Sequence, residues 1–208
     1  MNNYVQASIF DTIIDEHQIS TIPDYRICLP IGESFDCVKF STYNIEKYKL
    51  DIETIGLEKT WEGIISFTLN GNSNHFLNID NFAELYELGL AFQDKYAKKE
   101  SGQYYTPDDV AIVMAKWFDE LQGENICDVA CGTGKLILTY LSIIGYEKAR
   151  HLLAKGSVYL YDNDKTALTI CKTILVCKYG KDIESSIHAI YGDFLSKNLT
   201  LPQNCKVI

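Results

Sequence analysis

The chain has no apolar run long enough to span a membrane and no signal-peptide pattern at its start, so a cytoplasmic protein is expected. It has no excess of positive charge either. The formal net charge is −9, whereas a free-standing nucleic-acid binder carries a basic face. A DNA substrate would therefore need phosphate contacts from a local patch, from further sequence or from another subunit. It has no Cys-x-x-C pair. The seven cysteines, Cys28, Cys37, Cys127, Cys131, Cys171, Cys177 and Cys205, read as reduced cytosolic thiols. His17, His75, His151 and His188 lack ligand spacing, so no metal site is expected, and His188 reads as a plain strand residue. With 47% hydrophobic and 23% charged residues the chain is too apolar for wholesale disorder, and 208 residues hold one domain, or one and part of another.

What is present centres on Asn125–Lys135, Asn-Ile-Cys-Asp-Val-Ala-Cys-Gly-Thr-Gly-Lys. Ile126–Ala130 has strand length and composition. Gly132-Thr133-Gly134 then breaks the run, and Leu136, Ile137, Tyr140 and Leu141 resume at helical spacing. A strand, a glycine turn and a helix open a nucleotide-type α/β fold. Two phosphate-binding readings fail on required positions. The dinucleotide fingerprint needs a third glycine where Ile137 stands. The P-loop needs a glycine where Val129 stands and Ser or Thr where Leu136 stands.

What remains, Asp128 followed by Ala-Cys-Gly-Thr-Gly, resembles the S-adenosylmethionine loop of methyltransferases, whose usual form is Asp-Pro-Ala-Cys-Gly-Ser-Gly. This chain departs from it at Val129 and Thr133 and keeps both glycines. Upstream, Gly102-Gln103-Tyr104-Tyr105-Thr106-Pro107 is similar to a segment of adenine-specific DNA methyltransferases, including the modification subunits of type I restriction systems. Downstream, Val158–Asp162 reads as a second strand ending in an acid, and Ala189–Phe194 as a third ending in Gly-Asp-Phe. The four elements stand in the family's order from about Phe82 to Ile208. The resemblance implies a Rossmann-like methyltransferase fold with a partial parallel sheet over residues 81–208, preceded by a small mixed α/β region over 1–80.

In that first region, Asp24–Pro30 and Phe35–Tyr43 suit a hairpin about the turn Gly32-Glu33-Ser34. Leu57–Leu69 suits a helix with Trp61, Ile64 and Ile65 inward, or a strand ending at Asn70-Gly71. Gly71–Asn74 reads as the boundary loop. A helix follows with Phe82, Leu85, Leu88 and Phe92 on one face, capped by Asp80 or Asn81; Lys95, Lys98 and Lys99 near its end read as solvent-facing cations. Thr106-Pro107-Asp108-Asp109 reads as the start of another helix, with Thr106 as N-cap, Pro107 at the first position, Val110, Met114, Trp117 and Leu121 on one apolar face, and Gly123 as its stop. Helices over 134–144, 146–154 and 164–178 then alternate with strands over 157–161, 187–191 and 204–208. That alternation predicts a parallel sheet with ligands at the strands' carboxyl ends.

Three carboxylates, Asp128, Asp162 and Asp193, end those strands. Asp162, with Asn163 beside it, suits a ribose diol; Asp193 suits an adenine amine, with Phe194 against the ring; Asp128 suits a cationic amino group. Any of the three can instead cap the following helix. Tyr105 and Thr106 divide evenly between capping and holding a carboxylate at the helix N-terminus, and the resemblance tips them toward the ligand. The resemblance also places Ala130, Cys131, Gly132 and Gly134 against the cofactor. Cys131 has no histidine in its segment to activate it as a nucleophile.

The implied activity is methyl transfer from S-adenosylmethionine to the exocyclic amine of an adenine flipped out of DNA, with DNA and restriction–modification subunits as partners. The family's acceptor tetrapeptide, Asn/Asp-Pro-Pro-Tyr/Phe, is missing. The chain is expected to stop just short of it, at the fourth strand, with no catalytic residue of its own and no turnover alone. An unpaired fourth strand would favour self-association into a homo-oligomer. The alternative reading is a naturally shortened, non-catalytic cofactor-binding or assembly protein.

Overall fold

The computed structural model describes residues 4–8, 26–30, 42–70, 79–93, 106–195 and 200–208. The chain divides into two compact units, Met1–Gly102 and Gln103–Ile208. Strands β1 (Tyr4–Ser8) and β2 (Arg26–Pro30) of the first unit pair antiparallel, Tyr4 against Pro30 and Ser8 against Arg26. A strand therefore stands within the expected 24–30, and among the described residues its partner is β1. Residues 35–41 lie outside the described part, and Thr42 and Tyr43 open a helix. Local composition fixes strand character, but pairing depends on long-range register that the composition of one segment does not encode.

Helices α1 (Thr42–Ile55), α2 (Leu57–Asn70) and α3 (Phe82–Gln93, entered by a 3-10 turn Ile79–Asn81) complete this unit. Of the two readings of Leu57–Leu69 the helix holds, with Trp61, Ile64 and Ile65 buried. The Trp61 indole sits edge-on to Phe82 at 5.4 Å and to Tyr86 at 5.7 Å. Its Nε1 donates to the Tyr48 hydroxyl at 3.0 Å, which donates in turn to the Leu85 carbonyl at 3.0 Å. A buried indole whose only donor is satisfied anchors a core without a polar penalty. Sequence put the boundary near residue 80, while the compact grouping sets α3 with α1 and α2 in the first unit. Gly71–Asn74 and the lysines at 95, 98 and 99 lie outside the described residues.

The second unit opens with α4 (Asp108–Glu120) and β3 (Asn125–Asp128). It continues through α5 (Lys135–Ile143), α6 (Tyr146–Ala154), β4 (Val158–Asp162) and α7 (Lys165–Tyr179). A 3-10 turn at Lys181–Ser186 leads to β5 (His188–Tyr191) and then β6 (Cys205–Val207). The four strands form one parallel sheet in the order β5-β4-β3-β6. Burial of Ile126, Cys127, Val158, Leu160 and Tyr161, with most of α7, makes it a Rossmann-like α/β core. No helix among the described residues is long and apolar enough to cross a membrane.

Two expectations for α4 are corrected. The N-cap is Pro107, not Thr106: Pro107 has φ −58° and ψ 154°, its carbonyl accepts the Ala111 amide at 2.9 Å, and no side chain caps the helix. A proline φ suits an extended cap as well as a first helical residue, so the helix starts one position late. The buried face is Ala111, Ala115 and Phe118, while Val110, Met114, Trp117 and Leu121 are exposed, Trp117 at 68%. Two apolar stripes share this helix. The one with alanines wins because small side chains let α4 approach α5 closely, with Phe118 edge-on to Tyr140 at 4.7 Å. Lys206 of β6 is buried against the same contact, its Nζ 4.5 Å from the Phe118 ring centre and 3.0 Å from the Tyr140 hydroxyl. It also donates to the Phe118 carbonyl at 3.3 Å, and burial pulls its pKa below the ordinary lysine range.

Candidate functional site at the carboxyl edge of the sheet

Because β3, β4 and β5 run parallel, their last residues lie along one edge. Asp128 stands opposite Leu160, and Asp162 opposite Tyr191. The Gly192 amide donates to the Asp162 carbonyl at 2.9 Å, which sets Asp193 just beyond. Asp128, Asp162 and Asp193 are thereby gathered on one rim.

The glycine loop folds down onto the end of β4. The Cys131 amide donates to the Tyr161 carbonyl at 3.0 Å, and the Gly134 amide to the Cys131 carbonyl at 2.7 Å. The Gly132 amide donates to Asp162 Oδ2 at 2.6 Å. The two glycines serve different needs. At Gly134 (φ +98°) a Cβ would lie 2.6 Å from the Cys171 sulfur, so the loop's seat on α7 requires a bare backbone. At Gly132 (φ +52°) a Cβ would meet nothing within 4 Å: the left-handed conformation requires the glycine, and open space faces it.

Asp128 is 1% exposed, and its Oδ2 has no hydrogen-bond partner among the described residues. Burial pushes its pKa up to about 7, the backbone amides of Ala130 and Ile137 pull it back, and the Asp162 charge adds to the rise. Ile137 lies in the first turn of α5, whose N-cap Gly134 offers no side chain, so Asp128 serves that helix in part. One oxygen nevertheless stays orphaned, and a buried orphan acceptor calls for a donor.

At the end of β4 the helix-capping alternative goes to a different residue. Asp164 caps α7, its carboxylate accepting from the Thr166 and Ala167 amides, both at 3.0 Å. Asp162 is thus relieved of that role. It accepts from Gly132 with one oxygen and from the Asp164 amide at 2.8 Å with the other. A carboxylate has about four lone-pair sites, so about two remain, one on each oxygen. Two acceptors side by side match a vicinal diol.

Asn163 is exposed beside Asp162. Asp193 is exposed and accepts the Leu195 amide at 2.9 Å; Phe194 packs edge-on to Tyr161 at 5.3 Å. Ala130 is exposed in the loop turn. Thr106 is half-buried and makes no capping bond, and Tyr105 lies outside the described residues. Cys131 is buried, its thiol on the Gly132 carbonyl at 3.5 Å. The hydrogen bond with Cys171, then burial, holds its pKa well above the ordinary thiol range, so it is a packing thiol and not a nucleophile. Sequence reading passed over Asp164, which stands immediately ahead of a helical run and was legible as a cap. It also passed over Lys135, whose ammonium bonds Asp108 across the first turns of α5 and α4.

The chain is similar to the type I restriction enzyme MpnII methylase subunit of Mycoplasma pneumoniae. Identity is 26% over 141 residues, which are 66% of this chain and 25% of that relative. It spans about a quarter of the relative's length. A solved structure, a modification subunit ascribed to a type I restriction enzyme from Vibrio vulnificus YJ016, shares 19% identity over 59% of this chain and 30% of that one. Its TM-score of 0.37 is too low to add to what the sheet itself shows. The profile of the family described as N-6 DNA Methylase matches residues 77–207, more than half of the chain, from α3 through the whole parallel sheet to β6. With a glycine loop, a strand-end carboxylate free of capping duty and a match of that extent, this chain belongs to the N-6 DNA methylase family.

Proposed function

We propose that the carboxyl edge of the sheet binds S-adenosylmethionine, and that the chain serves methylation of the adenine exocyclic amine in DNA as part of a cytoplasmic type I restriction–modification enzyme. The observation that carries this is the Asp162 clasp: a carboxylate holding the glycine loop through Gly132, spared from helix capping by Asp164, with two acceptor sites left for a ribose. The cofactor fits the residues present. Orphaned Asp128 Oδ2 suits its ammonium, the open face at Gly132 suits its backbone-hugging tail, and Asp193 and Phe194, just past β5, suit an adenine amine and ring. Neither phosphate-binding glycine fingerprint is present in the loop, with Val129, Leu136 and Ile137 at the required positions. Bound there, the cofactor supplies an electrophilic methyl group on its sulfonium. The protein's part is to orient that group, Asp162 and Asp128 fixing the two ends of the molecule.

The four prolines, Pro23, Pro30, Pro107 and Pro202, are never adjacent, so the acceptor tetrapeptide is absent from this sequence. That absence supports a cofactor-binding part without its own base clamp, and it equally favours a second reading, a non-catalytic cofactor-binding or assembly protein. Calorimetry with S-adenosylmethionine and with S-adenosylhomocysteine tests the site: binding is expected, and a folded sample giving no heat with either refutes it. Incubation with labelled cofactor and DNA tests the division of labour, since methyl incorporation by this chain alone would contradict it.

A further inference from the structure

We propose that Lys135 is the cation that recognises the carboxylate of the cofactor's amino-acid end, with Asp108 as the counter-ion that holds it in place; this rests on the cofactor reading above. The geometry begins at the first turn of α4. Asp108 and Asp109 both stand there, and Asp109 Oδ1 already accepts the Val110 amide at 2.9 Å. Two acids at a helix start offset the attraction of its free amides for an incoming carboxylate. A helix N-terminus so loaded is a poor anion site unless a cation joins it.

Lys135 joins it. It is the first residue of α5, directly after the glycine loop, and its Nζ reaches Asp108 Oδ1 on the neighbouring helix. The next lysine along α4, Lys116, is eight residues further on, about 12 Å by helical rise. The loop is therefore bracketed by an acid and a base. Asp128 precedes it, with a buried acceptor oxygen that no group among the described residues satisfies, and Lys135 follows it, with its ammonium on Asp108. An acid and a base at the two ends of one glycine turn match a zwitterion, ammonium toward Asp128 and carboxylate toward Lys135. A lysine ammonium has three donors, so engagement with Asp108 leaves donors for a ligand.

The ion pair also has a bland explanation, a surface tie between α4 and α5, with the two side chains 39% and 83% exposed. The two accounts separate on ligands with and without the amino-acid end. Calorimetry on wild type, Lys135→Met and Lys135→Arg would compare S-adenosylhomocysteine with 5′-methylthioadenosine, which keeps the nucleoside and lacks the amino acid. Wild type is expected to bind S-adenosylhomocysteine more tightly. Lys135→Met is expected to weaken S-adenosylhomocysteine about tenfold, the scale of one charge-assisted hydrogen bond, and to leave 5′-methylthioadenosine unchanged. Lys135→Arg is expected to restore most of the loss. Equal losses on both ligands, or no loss on either, overturn the assignment to Lys135 while the cofactor site stands. Wild type binding neither ligand overturns the cofactor reading and this inference with it.

Discussion

Replacing Asp128 with asparagine probes the most deeply buried of the three strand-end carboxylates. Its carboxyl is held at about 7 against an ordinary 3.8, with burial as the main cause. At about 1.4 kcal/mol per tenfold change in proton affinity, ionising it in the fold costs about 4 kcal/mol more than ionising it in the unfolded chain. A folded-state value above the unfolded one means the native state holds the extra proton. The contribution to stability is complete below about pH 4 and is lost as pH rises to about 7. Asparagine carries no charge, so the variant escapes this loss. Integrating from pH 5 to pH 8, Asp128→Asn should gain about 2.5 kcal/mol on wild type, whatever constant offset its new amide introduces. Urea unfolding at both pH values, read as the difference between the two proteins, measures this. A difference that does not change with pH, or that shrinks toward pH 8, would refute the claim that the buried charge opposes folding. With S-adenosylhomocysteine bound, the pH dependence of wild type should flatten, because an ammonium beside Asp128 favours its charged form.

Gly134→Ala should destabilise by about 3 kcal/mol, combining left-handed strain with a Cβ driven against the Cys171 sulfur, whereas Gly132→Ala should lose about 1–2 kcal/mol, its Cβ meeting open space; urea unfolding ranks the two. Asp164→Ala should remove the α7 cap at a loss of about 1 kcal/mol with little change in affinity for S-adenosylhomocysteine, and Asp162→Ala should instead weaken that affinity at least tenfold; calorimetry beside thermal melts separates them. The chain's two tryptophans should respond oppositely to acrylamide: Trp117, 68% exposed, is quenched, and Trp61, at 0%, is shielded. Trp61→Ala should accordingly destabilise the first unit by about 3–5 kcal/mol, and Trp117→Ser should change stability by no more than about 0.5 kcal/mol.

In the second unit the sequence marked out nearly every element to within a residue or two. Helical spacing predicted 146–154 and the structure has Tyr146–Ala154; strands expected over 157–161 and 187–191 are Val158–Asp162 and His188–Tyr191. These segments alternate strongly and are punctuated by Gly132, Gly134, Gly145, Gly156, Gly180 and Gly192, all at positive φ, so the local signal and the fold agree. The loop and its three carboxylates were legible for the same reason: a parallel sheet must bring strand ends to one edge.

Other features depended on what each segment met. The sequence of α4 carries two apolar stripes, and only the closeness of α5 selected Ala111 and Ala115 over Val110 and Trp117. Among the described residues the partner of Arg26–Pro30 is Tyr4–Ser8, a pairing across about twenty residues that no turn signal announces. The cap on α7 is local, Asp164 accepting the Thr166 and Ala167 amides two and three residues on, but the hold of Asp162 on the glycine loop joins residues thirty apart, Gly132 and Asp162. By itself the sequence determined the elements, their order and the strand-end acids, because periodicity and turn chemistry are local. Only the tertiary structure decided faces, partners and the seat of the glycine loop on Asp162, because each of these depends on groups far apart in the chain coming into contact.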